Sequence, residues 1–252
     1  MLKLRVLDLF SGIGGFSLGL ERTGGFETVA FCEIEEFPRK VLAKHWPKVP
    51  CYHDVRELTA ARLAADGIAV DVICGGFPCQ DLSVAGRRAG IEGSRSGLWR
   101  EPVRLIGHLR PRFVILENVT GLLNGGLHVI LGALAKIGYD AIWHCVRAAR
   151  FGLPHIRDRI WIVAYPSGTG RQRLVENLCL PSGASPTFTK RGHAALNAWL
   201  QMVLDKCGLR NGDGVSLALE RLRLKALGNA VVPQIPELIG NAILESLRAA
   251  ND

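Results

Sequence analysis

The sequence predicts an α/β fold with a mostly parallel sheet flanked by helices. Short apolar runs typical of strands alternate with segments of helical spacing through residues 1–165, as a parallel sheet with crossover helices requires. Several of these runs end at a polar or glycine-rich turn. Hydrophobic residues make up 48% of the 252 residues, which is enough to build a core and argues against disorder.

The predicted elements follow one another in the order that such a fold needs. Apolar runs predict strands at residues 4–9, 28–33, 49–52, 71–74, 113–117, 141–148 and 159–165. Helical spacing predicts helices at residues 14–22, 35–45, 98–109, 129–137 and 235–248.

The composition changes after Pro166. Ser, Gly, Thr and Pro dominate as far as about Pro186, with a possible helix at residues 193–206. The chain therefore divides into three parts: residues 1–165, a candidate module at 166–215 that is small for an independent domain, and a closing segment at 216–252.

The net charge of +8 is concentrated in two arginine-rich segments. Residues 87–112 hold seven Arg against two acids, and residues 147–173 hold six Arg against Asp158. A solvated basic surface is one interpretation. Because both segments flank candidate catalytic residues, we favour binding of a polyanion through its phosphates.

The cysteine and histidine patterns predict neither a disulfide framework nor a metal site. The seven Cys are odd in number and include no C-x-x-C pair, and the seven His are scattered. No apolar run is long enough to cross a membrane, and the first residues resemble a strand rather than a signal peptide. We therefore expect a cytoplasmic protein without membrane association.

A glycine-rich turn after the first strand predicts a nucleotide-like cofactor. Gly12, Gly14 and Gly15 let the backbone approach a ligand at a helix N-terminus. Glu33, after the second strand, is placed to accept hydrogen bonds from ribose hydroxyls, or else to cap the next helix. Asp54 follows the third strand and suits an adenine amino group. The spacing departs from G-x-G-x-x-G, which favours S-adenosylmethionine over a dinucleotide.

A second group of residues predicts covalent chemistry at the same sheet edge. Cys79 follows the fourth strand in a turn shaped by glycines and Pro78, which favours a nucleophile over an inert buried thiol. Glu117 ends the next strand, where apolar walls from Val114, Leu116 and Val119 would raise its pKa; a salt-bridged structural acid is the alternative. Two further side chains, Arg157 and Arg159, share one face of an extended segment.

These motifs, in this order, resemble the cytosine-5 DNA methyltransferase family over nearly the whole chain. The resemblance is carried by DLFSGIGGFSLGL (8–20), Glu33, Asp54, RSGL (95–98), and by GGFPCQDLS (75–83), ENV (117–119), IRDR (156–159) and KALGNAVVP (225–233). It implies the Rossmann-like fold of S-adenosylmethionine-dependent methyltransferases, with a seven-stranded sheet and a small target-recognition region at 166–215.

The resemblance also implies roles for individual residues. Cys79 would attack carbon 6 of a flipped cytosine, Glu117 would bind nitrogen 3, Arg159 would support the carbonyl oxygen and Arg157 would help to hold the site. Residues implied to line S-adenosylmethionine are Phe10, Gly12, Gly14, Glu33, Ile34, Asp54, Val55, Pro78, Leu98, Asn229 and Ala230. Residues implied to contact DNA are Gln80, Ser83, Arg87, Arg88 and Arg95.

The implied activity is methylation of cytosine C5 in a specific duplex DNA sequence, by a monomer that belongs to a phage or to a restriction-modification system with a cognate endonuclease. His155 stands where the family commonly has Gln, and residues 166–215 are few for target recognition. Three alternatives stay open: methylation of tRNA, DNA binding without catalysis, and an NAD-linked oxidoreductase.

Overall fold

A computed structural model describes residues 2–78, 96–147, 158–169, 174, 226 and 229–249. Its strands are β1 (Leu4–Leu9), β2 (Phe26–Cys32), β3 (Cys51–Tyr52), β4 (Val72–Gly76), β5 (Phe113–Val119), β6 (Tyr139–Arg147) and β7 (Asp158–Pro166). Its α-helices are α1 (Gly15–Arg22), α2 (Glu36–His45), α3 (Ala60–Ala65), α4 (Arg100–Leu109), α5 (Leu127–Lys136) and α6 (Gln234–Arg248). Short 3-10 helices lie at Ser96–Trp99 and Thr120–Asn124.

The strands form one seven-stranded sheet in the order β3-β2-β1-β4-β5-β7-β6. The first five strands pair in parallel, and β7 runs antiparallel to both β5 and β6. The mostly parallel, seven-stranded α/β fold predicted from the sequence is therefore confirmed. The carboxyl ends of the central strands meet at one edge of this sheet, where open α/β sheets bind ligands.

Both faces of the sheet are buried by helices, which is why its central strands are continuous apolar runs. Successive residues of a strand point to opposite faces. In β1, Leu7 and Leu9 join a core with residues of α3, α4 and α5. Leu4 and Val6 point the other way, into a second core with α1 and α6. None of the helices in the described ranges is long and apolar enough to span a membrane.

Some elements differ from the sequence-based expectations. The short helix α3 was not predicted; it begins at Thr59, whose hydroxyl accepts a hydrogen bond from the Arg62 N–H at 3.1 Å. The expected helix at 98–109 begins as a 3-10 helix and becomes α-helical only at Arg100. Most of the segment 166–215, including the helix expected at 193–206, lies outside the described residues.

The segment before α6 passes unusually close to α1. A side chain at Gly15 would collide with the carbonyl oxygen of Val231, and one at Gly19 would collide with that of Pro233. These two glycines lie one helical turn apart on one face of α1. The chain from residue 229 to 235 therefore lies against the start of α1 only because that face has no side chains.

We predict that Gly19→Ala lowers the free energy of unfolding by about 1–3 kcal/mol, because the new methyl group has no room beside Pro233. Gly132→Ala is the matched control, since Gly132 is also helical and no described atom lies within 4 Å of an added Cβ. The control should gain about 0.5–1 kcal/mol. Denaturant unfolding measures both, and equal stabilities of the two variants would contradict the packing described.

Candidate active site

The turn that follows β1 has a backbone that few residue types tolerate. Gly12 and Gly14 have φ angles of 53° and 84°, and a Cβ at Gly14 would lie 2.7 Å from the Trp46 ring. Above Gly12, by contrast, no described atom lies within 4 Å of an added Cβ. Phe10 has a φ of 51°, a conformation that a bulky residue adopts rarely and that concentrates at ligand sites.

Glu33 holds this turn from the neighbouring strand. Its Oε2 accepts the Gly12 N–H at 2.7 Å, and its Oε1 accepts the Glu35 N–H at 2.8 Å. The Ser11 N–H donates to the Cys32 carbonyl at 3.2 Å, which ties the turn to the end of β2. Glu33 as a residue is only 7% exposed, yet each of its carboxylate oxygens keeps a lone pair for a further donor. Glu33 does not cap α2, whose N-cap is Glu35, so the capping alternative does not hold, and the carboxylate keeps its capacity for a ligand.

Asp54 follows β3, beside the same turn. The Arg56 guanidinium donates to both carboxylate oxygens, at 2.9 and 3.0 Å, and holds the pKa of Asp54 at about 2. Its neighbour Val55 is buried, and Leu98 is half-buried in the Ser96–Trp99 turn. Ile34, beside Glu33, leaves 53% of its surface exposed although it is apolar.

This set of residues fits the adenosine part of S-adenosylmethionine. Glu33 is an acid with free lone pairs for hydroxyl groups, and Asp54 is an ionised acid for an amino group. Phe10 and the exposed Ile34 offer apolar surface for a ring, and the space above Gly12 is open to a ligand.

Two of the residues expected at the cofactor come from the far end of the chain. Asn229 is exposed and Ala230 is buried, directly before Val231, whose carbonyl oxygen lies against Gly15. The fold therefore returns this segment to the start of α1, next to the glycine turn.

Two residues of the second group, Glu117 and Arg159, meet where β4 and β5 end and β7 begins. Gly76 pairs with Glu117 in the β4–β5 ladder, and a Cβ at Gly76 would lie 2.9 Å from Glu117 Oε2. Arg159, at the start of β7, donates from Nε to Glu117 Oε1 at 2.9 Å. One carboxylate oxygen thus pairs with a guanidinium, and the other lies over the strand that leads to Cys79.

The expected surroundings of Glu117 were wrong in part. Two of the three residues expected to wall its carboxyl group, Val114 and Leu116, lie on the opposite face of β5. Phe113 and Ile115 share its face instead, because side chains alternate along a strand. Of the two interpretations left open, the ion-paired acid is the one that the described contacts fit.

Asn118 is a site residue that sequence reasoning quoted in a motif but gave no role. It is buried, and its Nδ2 donates to the Phe77 carbonyl at 3.1 Å while its Oδ1 accepts the Val119 N–H at 2.8 Å. Asn118 thereby fixes the backbone two residues before Cys79. A polar residue at the end of a buried strand was the available signal.

Asp8 is a buried acid that sequence reasoning did not single out. Its Oδ2 accepts the Ser17 hydroxyl at 2.7 Å, and burial raises its pKa to about 7. Burial also raises the pKa of the neighbouring Cys74 thiol. This pair of side chains lies on the α1 face of the sheet, beneath the glycine turn.

Several predicted site residues lie outside the described part of the chain. They are Cys79, Gln80, Ser83, Arg87, Arg88, Arg95 and Arg157. Pro78 is described and half-buried. Within the described ranges, no three His, Cys, Asp or Glu side chains are grouped so as to hold a metal ion.

Fold and site together define a Rossmann-like protein of the methyltransferase type, and comparisons with known proteins narrow the class. The family model for C-5 cytosine-specific DNA methylase matches residues 4–193. The chain is 37% identical over 167 residues to the type II methyltransferase M.HgiBI of Herpetosiphon aurantiacus, covering 65% of this chain and 37% of that protein. It is 38% identical over 169 residues to M2.BsuMI of Bacillus subtilis, covering 64% and 42%.

A solved structure agrees with these sequence matches. A putative DNA modification methyltransferase encoded within a prophage (E. coli) superposes with a TM-score of 0.57 at 31% identity, covering 65% of this chain and 47% of that one. The chain therefore belongs to the family of C-5 cytosine-specific DNA methylases. It spans less than half the length of the two type II methyltransferases.

We predict that Asp8→Asn is stabilised relative to the parent as pH rises from about 4 to about 7. In that window the unfolded chain releases the Asp8 proton, because an ordinary Asp has a pKa of about 3.9, while the folded chain retains it. The parent protein therefore loses stability over this pH range. The Asp8→Asn variant does not, because its side chain has no proton to release. Each kcal/mol should move the melting temperature by roughly 2–4 °C.

Asp71→Asn is the control with the opposite sign. The Arg5 guanidinium lowers the pKa of Asp71 in the folded protein. The extra stability of the parent over this variant is therefore lost as pH falls through the pKa that Asp71 has in the folded protein. Melting curves at a series of pH values measure both variants. A pH-independent difference between Asp8→Asn and the parent would contradict the prediction.

Proposed function

We propose that this chain transfers a methyl group from S-adenosylmethionine to carbon 5 of cytosine in duplex DNA, with Cys79 as the nucleophile. The position of Glu117 carries the proposal. Its carboxylate lies beside Gly76, three residues before Cys79, and is paired with Arg159. Family membership favours DNA over RNA as the substrate and argues against an NAD-linked oxidoreductase.

The protein must supply a nucleophile because carbon 5 of cytosine is too weakly nucleophilic to attack a methyl donor unaided. Addition of the Cys79 thiolate to carbon 6 would form a carbon–sulfur bond and turn the ring into an enamine, which makes carbon 5 nucleophilic. Methyl transfer would leave S-adenosylhomocysteine. A water molecule would then take the proton from carbon 5, the carbon–sulfur bond to Cys79 would break, and the ring would regain its aromaticity. S-Adenosylmethionine, when bound, supplies an electrophilic methyl group.

Glu117 and Arg159 are placed to handle the charge that develops on the ring. For Glu117 to donate to nitrogen 3, where addition at carbon 6 builds up negative charge, its carboxylate would have to take up a proton once the base is bound. Arg159 would hold Glu117 in place and aim a donor at the carbonyl oxygen. Their contact at 2.9 Å lets both groups approach the same edge of one base. Arg157, two residues earlier, is proposed to hold this arrangement.

On the cofactor side, Glu33 is proposed to accept the ribose hydroxyls and Asp54 the adenine amino group. Phe10, Ile34, Val55 and Leu98 would enclose the adenosine, and the open space above Gly12 would admit the remainder. We assign the rest of the predicted lining to the same pocket: Gly14, Pro78, Asn229 and Ala230.

DNA would be bound by the arginine-rich segments that flank the site. Gln80, Ser83, Arg87, Arg88 and Arg95 are proposed to contact it, and the target base must leave the duplex to reach Cys79. We propose residues 1–165 as the catalytic domain, 166–215 as a short target-recognition region, and 216–252 as a segment that returns to the cofactor. Such an enzyme would act in the cytoplasm as a monomer, alone or beside a cognate endonuclease.

We predict that Cys79→Ala abolishes methylation, lowering its rate by a factor of about 10⁴ or more, because an alanine side chain cannot add to carbon 6. Bisulfite sequencing of genomic DNA incubated with the protein and S-adenosylmethionine measures this and reports the target sequence. The matched control is Cys145→Ala, which removes an exposed thiol from β6. The parent and the control should protect cytosines within one short sequence. Equal conversion with and without the parent protein, or full activity in Cys79→Ala, would overturn the proposal.

A further inference from the structure

The turn that carries Asp54 has little support from the sheet. Strand β3, which leads into it, has only two residues, and the turn from Asp54 to Leu58 closes through the Glu57 and Leu58 N–H groups on the Asp54 carbonyl. The Ser96–Trp99 segment, which carries Leu98, is likewise a single 3-10 turn. Both segments belong to the proposed cofactor pocket, so their positions need support from another part of the molecule.

Arg104, in the second turn of α4, supplies that support. Its Nη2 donates to the carbonyl oxygens of Val55 and Leu58, both at 2.9 Å. Its Nε donates to Glu101 Oε2 at 2.8 Å. Nη2 also lies 2.7 Å from Glu101 Oε2, so the guanidinium links two backbone carbonyls and one carboxylate. A lysine at this position would be one bond shorter and would lack the Nε donor.

The surroundings of these contacts are apolar. Val55 and Leu58 are buried in the same core as Trp99 and Leu105. Because carbonyl groups at the edge of such a core need partners, loss of Arg104 would leave two of them without their charged donor. The turn would then be free to adopt other positions, while the sheet behind it keeps its own hydrogen bonds.

We propose that Arg104 is a positioning residue for cofactor binding, which sets the Asp54 turn against the adenine and joins it to the helix that follows Leu98. This inference rests on the proposed function, since it assumes that the Asp54 turn meets the cofactor. Arg104 itself lies outside the proposed pocket, and it would affect cofactor affinity only through the position of Asp54.

The test is a double-mutant cycle in S-adenosylhomocysteine binding, measured by calorimetry on the full chain. Arg104→Met should weaken binding about 10-fold, or about 1.4 kcal/mol, because the Asp54 turn is no longer held in one position. In an Asp54→Asn background the same change should weaken S-adenosylhomocysteine binding by less than about 2-fold, because the contact that Arg104 positions is already gone. Arg104→Lys keeps the charge but has a shorter reach and no Nε donor, so its affinity should fall between those of Arg104→Met and the parent. It replaces Arg104→Met if that variant does not fold.

Arg5→Met is the matched control. Arg5 also donates to a carboxylate, Asp71, through Nε at 2.7 Å and Nη2 at 3.1 Å, but at the opposite edge of the sheet. It should leave affinity unchanged within about 2-fold while removing a comparable ion pair. Amide exchange of Glu57 and Leu58 gives a second readout: it should accelerate in Arg104→Met and not in Arg5→Met.

Two results would overturn this inference while leaving the proposed function intact. One is unchanged S-adenosylhomocysteine affinity in folded Arg104→Met or Arg104→Lys. The other is an equal loss of affinity from the Arg104 change in the parent and in the Asp54→Asn background. A merely structural role would lower the melting temperature without such a coupling. If the parent protein itself binds no S-adenosylhomocysteine, the proposed function fails, and this inference fails with it.

Discussion

The alignment of β4, β5 and β7 is the constraint on which the proposed active site depends. Parallel pairing sets Gly76 opposite Glu117, and antiparallel pairing sets Arg159 opposite Val119, so that the Arg159 side chain reaches the Glu117 carboxylate. A shift of one residue in the β5–β7 ladder would put the Glu117 and Arg159 side chains on opposite faces of the sheet. The apolar residues buried on both faces make such a shift costly, and the polar groups at the strand ends are positioned by the same packing that stabilises the core.

The proposed cofactor pocket depends on ties between segments that are distant in sequence. Glu33 holds the turn after β1, and Arg104 holds the turn after β3. The segment at 229–235 reaches the same place because Gly15 and Gly19 leave α1 without side chains there. Each tie joins a ligand-facing turn to a different layer of the fold, so the pocket requires the whole α/β domain to be folded.

Much of the fold could be predicted from the sequence because local patterns carry it. The strand at residues 4–9 was predicted with its observed ends, and Glu33 directly follows a strand that ends at Cys32. The strand that carries Glu117 continues two residues further than predicted, to Val119. Helix α3 was missed because only Leu63 of its six residues is buried, which leaves no apolar spacing to detect. The apolar environment of Glu117 was predicted wrongly from its neighbours in sequence, although alternation along a strand places Phe113 and Ile115, and not Val114 and Leu116, on its face. The contacts of Asn118 with Phe77 and of Arg104 with Val55 join residues 41 and 49 positions apart, beyond any local pattern.

The central claim is that this sheet edge presents Cys79 to a cytosine flipped out of duplex DNA, beside Glu117. The most direct measurement uses duplex DNA synthesised with 5-fluorocytosine in place of cytosine, incubated with the protein and S-adenosylmethionine and analysed by denaturing electrophoresis and mass spectrometry. Fluorine replaces the proton that must leave carbon 5, so the thiolate cannot be released after the transfer. The account predicts a denaturation-resistant complex whose DNA is attached at Cys79. The absence of any such complex, or attachment through another residue, would contradict it.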